Sequence, residues 1–313
     1  MEYETVGAAV DGSAVGQPKY KVKSKRKPLE VVMNTIFFLC GMVAVAFVLI
    51  ISVYLVISGM PAILEIGPIN FLFGTRWYAS TNDFGILAII LTSFAGTAGA
   101  IIIGVPIGLM TAIFLAKVAN PKLAKVVHTA VELLAGIPSV VYGFFGLVVL
   151  VPLIQKTFGL PVGETALAGS LILAVMALPT IITVAEDAMR GTPRAMREAS
   201  LALGATHWQT IYRVVIPYAG SGISAAVVLG IGRAIGETMA VLMVTGNAAV
   251  MPRSLFEPVR TIPATIAAEL GEAPAGGAHY QSLFMLGCIL FIITMVISVT
   301  AEMISKRQSN KGL

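Results

Sequence analysis

The longest stretches of this sequence carry no charge at all. Between Glu30 and Glu65 lie 34 consecutive residues without Asp, Glu, Lys or Arg, and a second run of 33 separates Asp83 from Lys117. In a bilayer every backbone N–H and C=O must be satisfied internally, so such runs form helices or closed barrels. About 20 residues span the hydrocarbon core as a helix, which leaves part of each run to tilt or protrude. No ten-residue alternation of apolar and polar residues points to barrel strands. The chain is 57% hydrophobic and 12% charged, half the roughly 25% of a soluble domain. The expected fold is an all-α polytopic membrane protein with six transmembrane helices, near 31–57, 84–116, 126–153, 165–185, 218–244 and 282–304.

Between these spans the sequence predicts a loop at 59–84, whose Trp77 and Tyr78 suit a membrane interface. A longer segment at 247–280 carries a short helix at 261–270. Pro106 is expected to kink the second span. Residues 1–28 read as a disordered basic tail, 29–305 as the membrane domain and 306–313 as a second tail. Cys40 and Cys288 sit in apolar runs and read as small hydrophobes. His128, His207 and His279 are scattered, so no metal site is expected.

Basic residues orient the six spans. Sixteen of the 21 Lys and Arg residues fall in the two tails, the 117–125 loop and the 190–217 loop. Only Arg76, Lys156, Arg253 and Arg260 fall on the opposite side, and Arg233 lies inside a span. The positive-inside rule then places both termini in the cytoplasm of a multi-pass cell-membrane protein. The lysines near residue 28 are juxtamembrane and set topology beside membrane lipid; no nucleic-acid partner is expected.

The segment 192–217 is the longest polar interruption between apolar runs. Thr192 is placed to cap a first helix with Pro193 at its first position. Gly204 is placed to end it in the left-handed conformation, and Thr206 with Gln209 reads as a capping box for a second helix, which Pro217 limits. On the first helix Ala195, Met196, Ala199 and Leu203 share a face, while Arg190, Arg194, Arg197 and Glu198 point elsewhere. Two readings stand: an amphipathic connector on the lipid surface, or a docking element for another protein.

Arg233 and Glu237 are spaced i, i+4 in the fifth span, about 5–6 Å apart at Cβ on a continuous helix. An ionisable group at that depth costs about 2.5–3.5 kcal/mol, so it should face protein or water. The pair either neutralises itself to hold helices together or marks a translocation pathway, where the guanidinium fork matches an oxyanion. Two small-residue stripes, Gly222/Ala226/Gly230 and Gly232/Gly236/Ala240, allow close helix approach. In the third span, Pro138 frees a carbonyl, and Ser139 and Tyr142 bring hydroxyls that either line the pathway or simply pack. Glu132 near its inner end is interfacial or paired. No Gly-x-x-x-x-Gly-Lys-Ser/Thr loop occurs, so this chain has no phosphate-loop site for ATP. No nucleophile–base set is present, and no enzyme activity is expected. Energy must come from an ion gradient or from another chain.

The 190–217 loop resembles the EAA loop of ABC-importer permeases: Glu198-Ala199-Ser200, three residues, Gly204, nine residues, then Val214-Val215-Ile216-Pro217. Ser200 departs from the third position of the pattern. The stretches GRAIGETMAVLMVTGN, LAGIPSVVYG and TIPATIAAELGEA are similar to those of PstC-type permeases of phosphate importers, and Met239-Ala240 replaces the Ala-Pro of the related PstA type. This resemblance implies a type I importer (MetI-like) permease fold with Glu198, Ala199, Gly204 and Pro217 in the ATPase coupling loop. It also implies Arg233, Glu237, Ser139 and Tyr142 along the pathway for inorganic phosphate. The implied partners are a PstA-type permease in a heterodimer, two ATPase subunits that bind ATP, and an extracytoplasmic phosphate-binding protein docked on 59–84 and 247–280. Permeation of sulfate or molybdate is the near alternative, and a self-sufficient secondary transporter or channel the remote one.

Overall fold

The computed structural model describes residues 28–309. The expected tail at 1–28 lies outside the described residues apart from Pro28, as do residues 310–313. The chain divides into two units, residues 1–50 and 51–313. In the first, the described residues are one helical stretch, the beginning of α1 (Pro28–Ile66).

The second unit starts within α1 and contains every other element. Helix α1 passes Pro61 without a break and ends at Ile66, so the loop expected from residue 59 begins later. There follow α2 (Pro68–Phe73) and two short antiparallel strands, β1 (Trp77–Tyr78) and β2 (Asp83–Phe84). Trp77, expected at a lipid interface, is buried in the protein with Phe71, Phe84, Ile262 and Leu286. Its ring can bury because its indole N–H has a carboxylate partner there. Tyr78 is exposed.

Helix α3 (Leu87–Ile113) runs through Pro106 as one element and closes with a π turn at Phe114–Val118. The third span departs from expectation. Asn120 accepts a hydrogen bond from the Leu123 amide at 2.8 Å and starts a separate helix, α4 (Pro121–Ala135). Pro138 lacks an N–H and disfavours helix at Ile137, so a break falls at 136–138. The apolar span is 139–158, built from α5 (Ser139–Phe145), a π turn at Gly146–Leu150 and α6 (Val151–Phe158). Lys122, Lys125, His128 and Glu132 therefore sit on α4, outside the span.

Thr165 caps α7 (Ala166–Arg190), accepting from the Ala168 amide at 3.3 Å. Next come α8 (Arg194–Ala202), α9 (His207–Thr210), a π turn at Ile211–Val215 and α10 (Ile216–Tyr218). The fifth span, expected to be continuous over 218–244, is instead α11 (Gly220–Gly236) and α12 (Met239–Val244), separated by an extended Glu237. Helix α13 (Ile262–Glu269) forms where 261–270 predicts it, and α14 (Ala278–Ser309) closes the described chain.

Among the described residues, five helical stretches are long and apolar enough to cross a membrane. A sixth crossing arises when His207–Tyr218 and Gly220–Gly236, which meet at 70°, are counted together. Small residues let the central helices touch. A Cβ on Gly222 would lie 2.3 Å from Ala188 Cβ, and one on Gly230 would lie 2.7 Å from Ile181 Cγ1. Glycine at both places lets α11 seat against α7, as the first small-residue stripe predicts.

Candidate functional site

The 190–217 loop folds as a helix–turn–helix with two departures from its reading. Pro193 occupies the N-cap of α8 itself, and Thr192 is buried with its Oγ1 unpartnered, so Thr192 does not cap the helix. The extended conformation that capping requires is available to proline, which moves the helix start one residue on. Gly204 has φ of +84°, where an L side chain is strained. The capping box forms as read: the Gln209 amide donates to Thr206 Oγ1 at 3.2 Å, and the Thr206 amide donates to Gln209 Oε1 at 2.9 Å. The second departure is Pro217, which does not end the helix. The π turn at Ile211–Val215 precedes it, and helical geometry persists to Tyr218.

Helix α8 buries no residue; only Arg197 and Ser200 are half-buried. Ala195, Met196, Ala199 and Leu203 are exposed, Leu203 to 90%. Glu198 and Gly204 are exposed as well. The Ser200 and Thr210 hydroxyls, 3.0 Å apart, tie α8 to the helix beyond the turn. An apolar outer face on a rigid, capped turn is a surface that another protein can cover.

Between the end of α7 and α4 the chain carries an ionic cluster that no single segment of sequence announces. Glu186, 1% exposed near the end of α7, pairs with Arg190 at 2.6 Å and with His128 Nδ1 of α4 at 3.2 Å. His128 Nε2 reaches Glu132 at 3.2 Å, so Glu132 is paired. At the far end of α4, the Tyr142 hydroxyl donates to the Leu134 carbonyl at 2.7 Å across the 136–138 break. Tyr142 is buried and thereby pins α5 to α4, while Ser139 is half-buried at the start of α5.

Arg233 and Glu237 do not form the self-neutralising pair that is one of the two readings of their spacing. The helix ends between them, and Glu237 Oε1 accepts instead from the Ala240 amide at 3.3 Å, satisfying the start of α12. Among the described residues no ion pair joins Arg233 to a carboxylate. Leu229, Gly232, Arg233 and Gly236 are all exposed, forming one stripe along α11. Gly232 and Gly236 have open space where a Cβ would project, whereas Ala240 of α12, the third member of the second small-residue stripe, is buried against Gly143 of α5. Arg233 also lies within electrostatic range of Tyr142. An uncompensated guanidinium on a glycine-lined face can hold an oxyanion with paired donors.

A second polar node stands beside β1. Glu269 accepts from Trp77 Nε1 at 2.8 Å, lies 2.8 Å from His279 Nε2 and forms an ion pair with Arg260. Thr92 Oγ1 donates to the Arg260 carbonyl at 2.6 Å, and the Ile262 amide donates to Ser93 Oγ at 2.9 Å. These bonds draw β1, α3, α13 and α14 together. The residues are up to 192 positions apart, and no local pattern links them.

Known proteins match this architecture. The family model for the binding-protein-dependent transport system inner membrane component matches residues 104–310. The probable ABC transporter permease protein YqgH of Bacillus subtilis is 37% identical over 302 residues, 95% of this chain and 98% of its own. The phosphate transport system permease protein PstC of Mesorhizobium japonicum is 42% identical over 252 residues, 74% of this chain and 77% of that protein. Among solved structures, a chain of a bacterial alginate ABC transporter aligns with a TM-score of 0.61 at 18% identity, covering 90% of this chain and 97% of its own. A chain of the MetNI methionine ABC transporter aligns with a TM-score of 0.53 at 22% identity, covering 72% and 94%. At those identities the structural matches show the fold, a MetI-type importer permease. The chain belongs to the binding-protein-dependent inner membrane components, the non-catalytic, multi-pass permease subunits of ABC importers that work with a separate ATPase and a binding protein.

Proposed function

We propose that this chain is the PstC-type permease subunit of an ATP-driven phosphate importer, forming half of the translocation pathway with a PstA-type partner. The carrying observation is Arg233: an exposed cation without a carboxylate partner among the described residues, on the open Gly232/Gly236 face of α11. That face lies free for a second permease to close, with the guanidinium fork turned toward a tetrahedral oxyanion. The relatives named phosphate transport system permease support the choice of anion.

In this proposal residues 29–305 are the membrane domain, and both termini and the 190–217 loop are cytoplasmic, as the basic residues imply. The exposed face of α8, with Glu198, Ala199 and Gly204 at its end and Pro217 beyond, docks on one of two ATPase subunits. ATP-driven closure of the ATPases draws the two coupling loops together and opens the pathway outward. A phosphate-binding protein docked over 59–84 and 247–280 then releases its anion, and hydrolysis restores the inward-facing state. Ser139 and Tyr142 flank the pathway, Tyr142 by fixing the α4–α5 break.

Substrate choice is tested by ATP-driven uptake of radiolabelled phosphate in proteoliposomes containing the assembled importer, with sulfate and molybdate as competitors. Uptake that neither competitor reduces at equal concentration is expected. Preferential transport of sulfate or molybdate would assign the chain to another oxyanion.

A further inference from the structure

No residue of helix α8 is buried, but Arg197 on its polar side is half-buried where that side borders a cavity. Arg194, Arg197, Glu198 and Leu201, spaced i, i+3, i+4 and i+7, line a cavity of about 240 Å³, while the apolar face looks outward. Lys117 from the turn after α3 and His207 from α9 complete its polar wall. Two guanidinium groups and one amine thus face a single carboxylate. Among the described residues none of Lys117, Arg194 and Arg197 has an ion pair, whereas neighbouring Arg190 is taken by Glu186. Arg197 Nε is shielded from solvent and has no hydrogen-bond partner. Lys117 lies within electrostatic reach of both Arg197 and Arg190.

Like charges held together and a shielded donor left unmet both raise the energy of the empty arrangement. One anion relieves both. A phosphate group suits the wall: guanidinium N–H groups bind its oxygens in pairs, and the Lys117 ammonium adds a point charge. The volume exceeds the roughly 30 Å³ share of one water several-fold, enough for the group and bridging waters. We infer that the cavity beneath α8 is an oxyanion site for a phosphate group, supplied by free inorganic phosphate or by an anionic lipid headgroup. It is separate from Arg233, on different helices, and does not depend on what the importer carries. Its occupancy would brace α8 from behind while the apolar face meets its partner.

The test is the reactivity of the Lys117 amine toward an acylating reagent, read by peptide mass spectrometry. The full chain is studied in nanodiscs of neutral phosphatidylcholine, with exposed Lys156 as internal control. One arm titrates inorganic phosphate; the other, free of phosphate, replaces part of the neutral lipid with phosphatidylglycerol. Protection of Lys117 is expected to saturate in one arm, reaching about tenfold at about nine times the dissociation constant. The arm in which it appears identifies the source. The protection should be lost in Arg197→Gln and in Arg194→Gln, the second serving if the first does not assemble. Unchanged reactivity in both arms, or full protection retained in an assembled variant, would overturn the site. So would protection appearing only on addition of the ATPase subunit, because a partner carboxylate would then fill the cavity.

Discussion

Glu237 gives its carboxylate to the Ala240 amide at 3.3 Å, not to Arg233 four residues earlier. The two charged residues therefore have separable roles. Glu237→Ala removes the accepting oxygen and should destabilise the chain by about 1 kcal/mol, the usual net loss for one hydrogen bond. Glu237→Gln keeps a carbonyl oxygen in place and should lose only a few tenths. Thermal unfolding of both variants in nanodiscs measures this, and equal losses would show that the charge matters more than the cap.

Glu269 holds Trp77, Arg260 and His279 at once. Glu269→Ala leaves a partly buried guanidinium without its carboxylate and should cost about 3 kcal/mol, the lower end for a broken buried pair. Trp77→Phe loses one hydrogen bond and should cost about 1 kcal/mol. Denaturation of the two variants in the same lipid separates these values; a Glu269→Ala loss no greater than that of Trp77→Phe would remove Glu269 from the centre of the node.

Gly204 stands at φ of +84° between α8 and α9. A β-branched residue there is strained by about 1–2 kcal/mol and should tilt α8 against its neighbour. Gly204→Val should remain in the membrane and assemble, yet hydrolyse ATP with little transport. Uptake and ATPase activity measured on one preparation decide it; a wild-type ratio of the two would detach this turn from coupling.

Much of this architecture is legible along the chain because it rests on local chemistry. Thr206 and Gln209 form their box, Gly204 takes the left-handed conformation, and 261–270 contains its helix. Where the reading goes astray, distant or absent partners decide. The i, i+4 spacing of Arg233 and Glu237 assumes an unbroken helix, and a carboxylate next to a Gly–Glu–Thr break can cap the next helix instead. Pro193 takes the cap from Thr192, a shift of one residue that propensity does not resolve. Glu186 and His128 lie 58 positions apart, and Trp77 and Glu269 lie 192 apart. A carboxylate at the end of an apolar run with basic groups on neighbouring elements is the one hint the sequence offers for Glu186. The apolar face of α8 is exposed, and no local pattern in the sequence says whether a second chain covers it.

The orientation proposed from the basic residues is open to direct measurement. With Cys40 and Cys288 replaced by Ser, Lys156→Cys should react with an impermeant maleimide in intact cells. Lys122→Cys should react only after permeabilisation. The reverse pattern would invert the chain and place the α8 face outside the cytoplasm.

Arg233 bears the functional assignment. The decisive measurement is ATP-driven uptake of radiolabelled phosphate by the assembled importer in proteoliposomes, wild type against Arg233→Ala, with assembly checked by co-purification of the ATPase. Arg233→Ala should assemble normally and lose nearly all uptake, while Glu237→Gln transports. Uptake at the wild-type rate in Arg233→Ala would show that this cation is structural and that the pathway for the anion lies elsewhere.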